Sequence, residues 1–236
     1  MISVCMATYN GEEYIKEQID SILPQLGGYD ELIISDDGST DNTIEIISYY
    51  FEEDTRIKLY FNKKRKGIVG NFGNALNFAN GDYVFLSDQD DVWLPNKVEV
   101  VVNYLQEYDC VVSDAFLIDA NGNTLCDSFF KKNKSRKGFL QNFFRNRYLG
   151  CCLAFNRKIL KHALPFPTNI PMHDIWIGLV AEIFGKSFFI DEPLIYYRRH
   201  GFNFSMTSEK SKNSLVVKLR YRIVLMANLI RRIFFL

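Results

Sequence analysis

The first half of the chain alternates short apolar runs with segments of helical periodicity. The runs have the length of strands and cover residues 2–7, 32–34, 57–61 and 83–86. One apolar helix face is predicted after the first run by the four-three-four spacing of Ile15, Ile19, Ile22 and Leu26. Further helices are predicted over residues 43–51 and 71–78, and after Pro95. This order of elements indicates an α/β domain with a mostly parallel, Rossmann-like sheet and helices on both faces.

The second half has a less regular pattern. A helix is predicted around residues 175–184, and strand-like runs occupy residues 110–113, 149–155, 188–190 and 194–197. Residues 131–147 form a basic segment with seven Lys or Arg side chains, which is typical of a solvated surface. The sequence shows no internal repeat and no Ser- or Pro-rich linker. Residues 1–205 are therefore predicted to form one domain, followed by a loop and a helical segment in residues 206–236.

The C-terminal segment, residues 215–236, is dominated by apolar side chains. Basic residues interrupt it at Lys218, Arg220, Arg222, Arg231 and Arg232. This pattern predicts a basic amphipathic helix. Two interpretations remain open, namely contact with a membrane surface and packing on the domain. Elsewhere in the chain, no uncharged apolar run reaches the roughly 18 residues that a membrane-spanning helix needs.

Charge and cysteine content argue against several classes of protein. Lys plus Arg and Asp plus Glu number 28 each, so the balance gives no reason to expect nucleic-acid binding. The five cysteines contain no CxxC pair, which argues against a zinc framework and against a disulfide scaffold. Residues 1–10 do not resemble a secretory signal. A reducing compartment, the cytoplasm, is therefore expected.

Three polar clusters directly follow predicted strands. They are Thr-Tyr-Asn-Gly at residues 8–11, Asp-Asp-Gly-Ser-Thr-Asp at residues 36–41 and Asp-Gln-Asp-Asp at residues 88–91. Parallel sheets bind ligands at the carboxyl ends of their strands, so the clusters are predicted to meet at one edge. The first two clusters also suit turns and a helix cap, and this alternative remains open for each of them taken alone.

The third cluster predicts a cation site. Asp88, Asp90 and Asp91 repel one another, and a hard divalent cation with oxygen ligands relieves that repulsion. The chain lacks both the GxxxxGK[ST] loop of NTPases and the GxGxxG pattern of dinucleotide-binding proteins. A nucleoside diphosphate whose phosphates are held by a metal ion is the remaining simple interpretation.

The ordered set of motifs resembles family 2 glycosyltransferases of the GT-A fold. The motifs in this chain are Thr8–Tyr9–Asn10, Asp36–Asp37–Gly38–Ser39, SDQDDVW at residues 87–93 and HDIW at residues 173–176. GCCLAFNR at residues 150–157 and YYRRHG at residues 196–201 are similar to bacterial rhamnosyltransferase-like members. The resemblance covers residues 1–205. It implies a nucleotide-binding half at residues 1–105 and an acceptor-binding half at residues 106–205.

The resemblance assigns donor-binding roles to residues of this sequence. It implies that the base and ribose site is lined by Thr8, Tyr9 and Asn10, with Glu12 (or Glu13) beside them. Asp36 or Asp37 is expected to accept a hydrogen bond from the pyrimidine N–H, which suits a carboxylate because it only accepts. Asn71 is expected near the nucleotide, with a helix cap as the alternative. Asp88 is expected to face the ribose or the cation, and Arg199 the diphosphate.

The resemblance also assigns the metal and the base. Asp90 is expected to ligate Mg²⁺ or Mn²⁺, with His200 completing the ligand shell, so that the ion stabilises the leaving diphosphate. Asp174 is expected to deprotonate the acceptor hydroxyl in one displacement that inverts configuration, and a helix N-cap is its alternative role. Residues 203–214 are expected to form a lid over the donor. The expected acceptor contacts are Trp93, Asp91, His173 and Trp176, with core packing as the alternative for the tryptophans.

These assignments predict an inverting, metal-dependent glycosyltransferase. It would transfer a sugar, with rhamnose as the single best choice, from a dTDP- or UDP-sugar to a hydroxyl of a growing surface polysaccharide such as O-antigen or capsule. A lipid-linked glycan is the expected acceptor, at the inner face of the cell membrane. A sugar nucleotidyltransferase is one alternative, although Glu12 and Glu13 would repel a triphosphate. A catalytically inactive nucleotide-sugar-binding module of the same fold is the other.

Overall fold

The computed structural model describes residues 1–200 and 214–234, and within these ranges nine strands form one sheet. Strands β1 to β9 span Ile2–Thr8, Glu31–Asp36, Ile57–Phe61, Tyr83–Asp88, Val92–Trp93, Cys110–Asp119, Thr124–Cys126, Leu153–Asn156 and Ser187–Arg199. Helices α1 to α9 span Ile15–Ile22, Thr43–Glu53, Ile68–Asn77, Lys97–Leu105, Phe129–Asn133, Phe139–Phe144, Arg157–Ala163, His173–Phe184 and Leu215–Phe234. Two short 3₁₀ turns cover Leu23–Gln25 and Gly150–Cys152.

The sheet is parallel in its first half and mixed in its second. Its order is β3-β2-β1-β4-β8-β6-β9-β5, with β7 paired to β6. Strands β3, β2, β1 and β4 are all parallel, as their apolar runs predicted. β8 enters antiparallel between β4 and β6, β9 runs parallel to β6, and β5 is antiparallel to β9. The predicted α/β fold is therefore confirmed, and the reversed strands are features that apolar periodicity does not report.

The three polar clusters lie at one edge of the sheet, as predicted. Thr8 at the end of β1 pairs in register with Asp36 at the end of β2. On the other side of β1, Ala7 pairs with Asp88 at the end of β4. The three strands are buried over nearly their whole length. Because burial on both faces fixes strand register, the packed core fixes the positions of the polar residues that follow.

Several predicted boundaries in the sheet and helices need correction. Residues 188–190 and 194–197 belong to one continuous strand, β9, which has irregular pairing with β6 between them. The run at residues 149–155 contains the 3₁₀ turn before its strand begins at Leu153. The helix predicted from residue 71 starts three residues earlier at Ile68, directly after Gly67, whose φ is +91°. A side chain at that φ is strained, so glycine permits the tight entry into α3.

Helix α9 packs on the domain through one face and presents another apolar face to solvent. Leu225 and Leu229 are buried, and the Arg232 guanidinium donates to the carbonyls of Leu164 and Pro165. A second row of apolar side chains is exposed at Val216, Leu219, Ile223, Met226, Ile230 and Ile233. We call this row the α9 stripe. The packing interpretation is thus correct for one face of the helix.

Two further expectations concern the end of the chain. Among the helices in the described ranges, none has the length and apolar character needed to cross a membrane. The predicted lid, residues 203–214, lies outside the described residues except for Ser214.

Candidate active site

A cavity of about 490 Å³ opens at the edge of the sheet where β1 and β4 end. Side chains from both halves of the chain line it. The sequence-predicted site residues among them are Thr8, Tyr9, Asn10, Asp37, Asn71, Asp88, Asp90, His173, Asp174 and His200. Those that the structure places elsewhere are Glu12, Asp36, Asp91, Trp93, Trp176 and Arg199.

The adjacent acids Asp36 and Asp37 have different surroundings. Asp36 is buried, and its Oδ1 accepts from the backbone N–H groups of Gly38 and Ser39 at 2.7 and 2.9 Å. Its Oδ2 accepts from the hydroxyls of Ser39 and Thr8 at 2.5 and 3.2 Å. Asp37 lines the cavity. Asp36 thus shapes the turn, and Asp37 is the acid that a ligand in the cavity would meet.

Two hydrogen bonds hold the Asp37 carboxylate at the cavity wall. Oδ1 accepts from the amide of Asn62 at 2.7 Å, and Oδ2 accepts from the backbone N–H of Gly67 at 2.7 Å. Each oxygen has a second lone pair, so the group can still accept from a ligand. The Lys66 ammonium also lies 3.8 Å from Oδ1. Asp37 is therefore an oriented acceptor at one end of the cavity.

The first cluster lines the cavity through Thr8, Tyr9 and Asn10, whereas Glu12 does not. Asn10 adopts a positive φ of 47°, and its Oδ1 accepts from the N–H of Thr40 at 2.8 Å. Glu12 Oε2 accepts from the backbone and side-chain N–H groups of Asn42 at 2.9 and 2.8 Å. Because Asn42 precedes α2, Glu12 stabilises the start of that helix. Of the two acids that the sequence offered here, Glu13 lines the cavity and Glu12 does not.

Asn71 connects three elements beneath the cavity. Its Nδ2 donates to the carbonyl of Thr8 at 3.0 Å, and its Oδ1 accepts from the hydroxyl of Ser35 at 2.6 Å. The side chain thereby ties α3 to the ends of β1 and β2. Since Asn71 lies inside α3, it is not the helix cap that the sequence left open.

The acids after β4 are held by the end of β9. Oδ2 of Asp90 lies 2.7 Å from Nε2 of His200. Oδ1 of Asp91 accepts from the backbone N–H of Arg198 at 3.0 Å, and the Arg198 Nε donates to the carbonyl of Asp90 at 3.0 Å. Asp91 is fully buried, so it anchors this loop and does not reach the acceptor, contrary to the prediction.

A buried charge cluster lies behind this loop. Burial raises the pKa of Asp88 and of Asp91, and nearby acids raise both further. The Lys97 ammonium is buried, with a lowered pKa, and donates to the carbonyl of Cys151 at 2.8 Å. Carboxylate oxygens of Asp88 and Asp91 lie within 4.8 Å of each other and of the Cys151 sulfur. Lys97 offsets part of the negative charge that the acids bring together.

The residues at this end of the cavity fit a divalent cation. Asp90 and His200 already face each other, and an ion bound by both would replace their hydrogen bond. Behind the loop, Oδ2 of the buried Asp91 has no hydrogen-bond partner among the described residues, so packing alone leaves a polar atom beside this site unsatisfied. Carboxylate oxygens with one imidazole form a donor set suited to Mn²⁺ or Mg²⁺.

His173 and Asp174 start helix α8 and line the same cavity. Burial raises the pKa of Asp174 to about 6. Its Oδ1 accepts from the N–H of Ile175 at 2.6 Å, and its Oδ2 accepts from the amide of Asn146 at 2.9 Å. Burial lowers the pKa of His173 to about 3, so the imidazole is neutral and stacks on Phe72 with ring centres 4.0 Å apart. Two hydrogen bonds thus orient the Asp174 carboxyl group, and its pKa lies about one unit below neutral pH.

Three predicted contacts lie outside the cavity. Trp93 is 2% exposed and stacks its indole under the Lys97 ammonium, 4.4 Å from the ring centre. Trp176 is fully buried, and its Nε1 donates to the carbonyl of Ala163 at 2.9 Å. Core packing therefore describes both tryptophans, and the predicted stacking on a sugar is corrected. Arg199 ends β9 in register with Asp119 and does not line the cavity, although the next residue, His200, does.

Sequence reasoning missed several residues of the site. Gln89, inside the predicted acidic cluster, exchanges hydrogen bonds with the backbone of Tyr9 at 2.8 and 3.0 Å and so joins two clusters. Tyr14 and Tyr197 also line the cavity. Gln89 was detectable from its place in the motif. Tyr197 lies in the motif at residues 196–201 and was detectable in the same way, whereas Tyr14 carried no local signal, because its place in the cavity depends on distant packing.

Comparison with known proteins adds independent information. The family model described as "Glycosyl transferase family 2" matches residues 3–164. The putative teichuronic acid biosynthesis glycosyltransferase TuaG of Bacillus subtilis is 28% identical, covering 94% of this chain and 87% of its own. The dTDP-rhamnosyl transferase RfbG of Shigella flexneri is 30% identical, covering 92% and 81%. The UDP-Glc:alpha-D-GlcNAc-diphosphoundecaprenol beta-1,3-glucosyltransferase WfgD of Escherichia coli is 29% identical, covering 77% and 70%.

Solved structures show the same fold. The structure of S. aureus TarS 1-349 in complex with UDP-GlcNAc gives a TM-score of 0.74 at 21% identity, covering 96% of this chain and 66% of that one. The mannosyltransferase PcManGT from Pyrobaculum calidifontis, in complex with GDP-Man and Mn²⁺, gives a TM-score of 0.64 at 19% identity. The match covers 98% of this chain and 64% of that one. This chain thus spans just under two thirds of each of these solved chains. The predicted GT-A type fold is confirmed.

Proposed function

The chain belongs to glycosyl transferase family 2, and on that basis we propose that it transfers a sugar from a nucleoside-diphosphate donor to a hydroxyl of a growing surface glycan. One observation carries the proposal. An oriented carboxylate (Asp37), a carboxylate–imidazole pair (Asp90 and His200) and a buried carboxylate (Asp174) line the same cavity. The three groups match the needs of a nucleotide base, a cation and an acceptor hydroxyl.

Asp37 is the residue proposed to recognise the nucleotide base. Its carboxylate accepts hydrogen bonds and donates none, which suits the imide N–H of uracil or thymine. Thr8, Tyr9 and Asn10 line the same cavity and would contact the base and ribose. The UDP-GlcNAc complex of TarS and the name of RfbG support UDP- and dTDP-sugars, respectively, as the donor class.

Asp90 and His200 are the proposed ligands of Mg²⁺ or Mn²⁺, with Asp88 beside them. When bound, such an ion supplies positive charge that stabilises the diphosphate as its bond to the sugar breaks. The acids at this site repel one another, and the Lys97 ammonium offsets part of their charge. The Mn²⁺ in the PcManGT complex supports a divalent cation in this fold.

Asp174 is the proposed catalytic base. Its carboxylate would accept the proton of the acceptor hydroxyl as that oxygen bonds to the anomeric carbon and the nucleoside diphosphate departs. A single displacement of this kind inverts the configuration of that carbon. With a pKa of about 6, Asp174 is mostly ionised at pH 7 and still basic enough to take the proton.

Rhamnose is the proposed sugar, and a lipid-linked glycan is the proposed acceptor. The similarity to RfbG supports rhamnose from a dTDP donor. WfgD, by its name, uses a diphosphoundecaprenol-linked acceptor, and TuaG by its name contributes to teichuronic acid biosynthesis. These relatives support a place in O-antigen, capsule or similar polysaccharide synthesis.

We further propose that the protein is cytoplasmic and lies on the inner face of the cell membrane through residues 215–236. The α9 stripe exposes six apolar side chains in a three-four repeat that forms one face of the helix. Helix α9 carries five Lys or Arg and no Asp or Glu. Two copies of such a helix would repel each other, whereas anionic lipid would neutralise the charge.

A binding screen with the full chain tests the proposed donor class. UDP-glucose, UDP-GlcNAc, GDP-mannose and dTDP-rhamnose are each added with and without Mn²⁺, and the melting temperature is measured. A ligand that binds the folded state raises this temperature by mass action. We expect a Mn²⁺-dependent rise with uridine or thymidine donors and none with GDP-mannose. A response to no nucleotide sugar contradicts the proposed function.

Exchange of the proposed base tests the reaction. Asp174→Asn keeps the size of the side chain and removes its basicity. We expect nucleoside diphosphate release with an acceptor to fall about 10²- to 10⁴-fold, while the donor dissociation constant stays nearly constant. Wild-type turnover in this variant excludes Asp174 as the base.

A further inference from the structure

Asn146 lies in the basic segment of residues 131–147, which the sequence indicated as solvated surface. Its side chain instead reaches the wall of the cavity, where Nδ2 donates to Oδ2 of Asp174 at 2.9 Å. We propose that Asn146 is a positioning residue, which fixes the direction of the Asp174 carboxylate and stabilises its ionised form. This inference rests on the proposed role of Asp174 as the base.

The amide of Asn146 has a defined orientation. Its Oδ1 accepts from the backbone N–H of Tyr148 at 3.1 Å, so its Nδ2 is the atom directed to Asp174. Tyr148 is fully buried, and its ring lies so close to Gly178 that a Cβ there would come within 2.3 Å of it. Gly178 lies four residues after Asp174 on α8, so both contacts are on the same side of that helix. Asn146 and Tyr148 thus hold α8 at two successive turns.

Both oxygens of Asp174 are held as a result. The backbone N–H of Ile175 occupies Oδ1, and the Asn146 amide occupies Oδ2. Each oxygen keeps a lone pair, and Asp174 lines the cavity. The carboxylate therefore presents acceptor sites in a fixed direction, which a freely rotating side chain would not do.

The neutrality of Asn146 matters for the chemistry. Its neighbours Arg145 and Arg147 point elsewhere, since their guanidinium groups bond to Oδ1 of Asn133 at 3.3 Å and the carbonyl of Lys134 at 2.6 Å. A guanidinium in place of Asn146 would form an ion pair with Asp174 and make it a weak base. The amide stabilises the carboxylate to a smaller extent and leaves it basic.

Few other ionisable groups face Asp174. Asp88 at the end of β4 and the Tyr148 hydroxyl interact with its charge, and His173 precedes it as a neutral imidazole. Burial raises the pKa of Asp174, and the Asn146 hydrogen bond opposes that rise. Loss of the amide is therefore expected to raise this pKa further.

Titration of Asp174 by ¹³C NMR tests the inference without any substrate. The full chain is labelled at aspartate carboxyl carbons, and the Asp174 signal is identified by its loss in Asp174→Asn. We expect Asn146→Ala to raise the midpoint by about half a unit to one unit. Asn146→Asp, which has the same shape but adds a second acid, is expected to raise it more. A midpoint equal to that of the wild type in either variant overturns the inference.

Asn142→Ala is the matched control for stability. Asn142 is a buried amide of the same segment, and it donates to the carbonyls of Arg136 and Gly138 at 3.0 Å, not to Asp174. We expect this variant to lower the melting temperature and leave the Asp174 midpoint unchanged. A shifted midpoint in Asn142→Ala would show that loosening the segment suffices, which also overturns the specific role of Asn146.

Kinetics at two pH values provide a second readout. Release of nucleoside diphosphate from UDP-GlcNAc or dTDP-rhamnose, with Mn²⁺ and an acceptor glycan, is measured at pH 6 and pH 8. A one-unit rise in the pKa of the base reduces its ionised fraction about five-fold at pH 6 and hardly at pH 8. We expect Asn146→Ala to slow release at pH 8, because the carboxylate is no longer held in direction, and to slow it up to about five-fold more at pH 6, because less of the base is ionised. An equal loss at both pH values contradicts the role of Asn146 in stabilising the ionised form. If Asp174→Asn leaves release unchanged, the proposed base fails, whereas the NMR result still measures the Asn146 contact.

Discussion

Nε2 of His200 lies 2.7 Å from Oδ2 of Asp90, although 110 residues separate the two in the chain. The pairing of β5 with β9 brings them together, because β5 directly follows the loop that carries Asp90. Arg198 reinforces the arrangement through hydrogen bonds to Asp90 and Asp91. The loop after β4 and the end of β9 therefore form one unit at the proposed cation site.

Asp90→Asn is expected to abolish the effect of Mn²⁺ on donor binding. The substitution removes the negative charge that would attract the ion and keeps the shape of the side chain. Donor affinity in Mn²⁺ should fall to the level that the wild type shows in EDTA. Calorimetry with UDP-GlcNAc or dTDP-rhamnose measures the difference. The control is Asp82→Asn, since this acid is largely exposed and far from the cavity. Undiminished Mn²⁺ dependence in Asp90→Asn would refute the assignment.

Asp37→Ala is expected to weaken UDP or dTDP binding at least ten-fold, equivalent to about 1.4 kcal/mol. The variant lacks the acceptor proposed for the imide N–H of the base. Binding of pyrophosphate with Mn²⁺ should change little, because pyrophosphate has no base. Comparing the two dissociation constants separates base recognition from phosphate binding. Equal losses for both ligands would show that Asp37 acts on the whole cavity and not on the base.

The stability of Asp174→Asn is expected to depend on pH in a defined direction. Folding raises the pKa of Asp174 from its ordinary value of 3.8 to about 6, so the folded protein binds this proton more tightly than the unfolded chain does. The free energy of unfolding of the wild type therefore falls as pH rises through this window, by at most about 3 kcal/mol. The amide of the variant has no charge to bury and avoids that cost.

Thermal unfolding at two pH values checks this prediction. The variant should melt at a higher temperature than the wild type at pH 8, and the difference should disappear at low pH, where Asp174 is protonated in both states. A constant difference at the two pH values would indicate that packing, and not ionisation, distinguishes the proteins.

The double variant Leu219→Glu, Ile223→Glu is expected to lose membrane binding. Both side chains are exposed on the α9 stripe, and a charge there prevents burial of the stripe in lipid. Co-sedimentation with vesicles of equal phosphatidylglycerol and phosphatidylcholine should fall at least about ten-fold. The control is Tyr29→Glu, Leu125→Glu, which adds the same charge at exposed apolar residues elsewhere. Equal sedimentation of the two double variants would contradict a lipid-binding role for the stripe.

The edge of the sheet was predictable from sequence because its determinants are local. Each apolar run indicates a buried strand, and the polar residues that follow it are placed by chain geometry alone. Thr8, Asp37 and Asp88 were thus expected near one another before any contact was known, and the structure places Thr8 and Asp88 at strand ends beside each other. The resemblance to a family added Asp174 and His200, for which local sequence offered no geometric argument.

Other positions depend on contacts between distant parts of the chain. Trp93 lies two residues after the acidic loop, but pairing of β5 with β9 places it in the core. Asp91 is the same residue type as Asp88 and Asp90, yet the backbone N–H of Arg198 fixes its carboxyl group inside the protein. Asn146 lies between two arginines in a basic segment, and its contact with Asp174 arises from folding across 28 residues. Local patterns contain no information on such pairings.

Strand β8 has a consequence for protein engineering. Val84 and Phe85 of β4 pair with Phe155 and Ala154 of β8, and β8 in turn pairs with β6. Hydrogen bonds of the sheet thus connect residues 1–105 with residues 106–205, the two halves that the resemblance predicts to bind donor and acceptor. A chimera that joins two relatives between α4 and β6 would set a foreign β8 beside the native β4. Exchanging acceptor preference between relatives therefore requires side chains that match where β4 pairs with β8, as well as new loops.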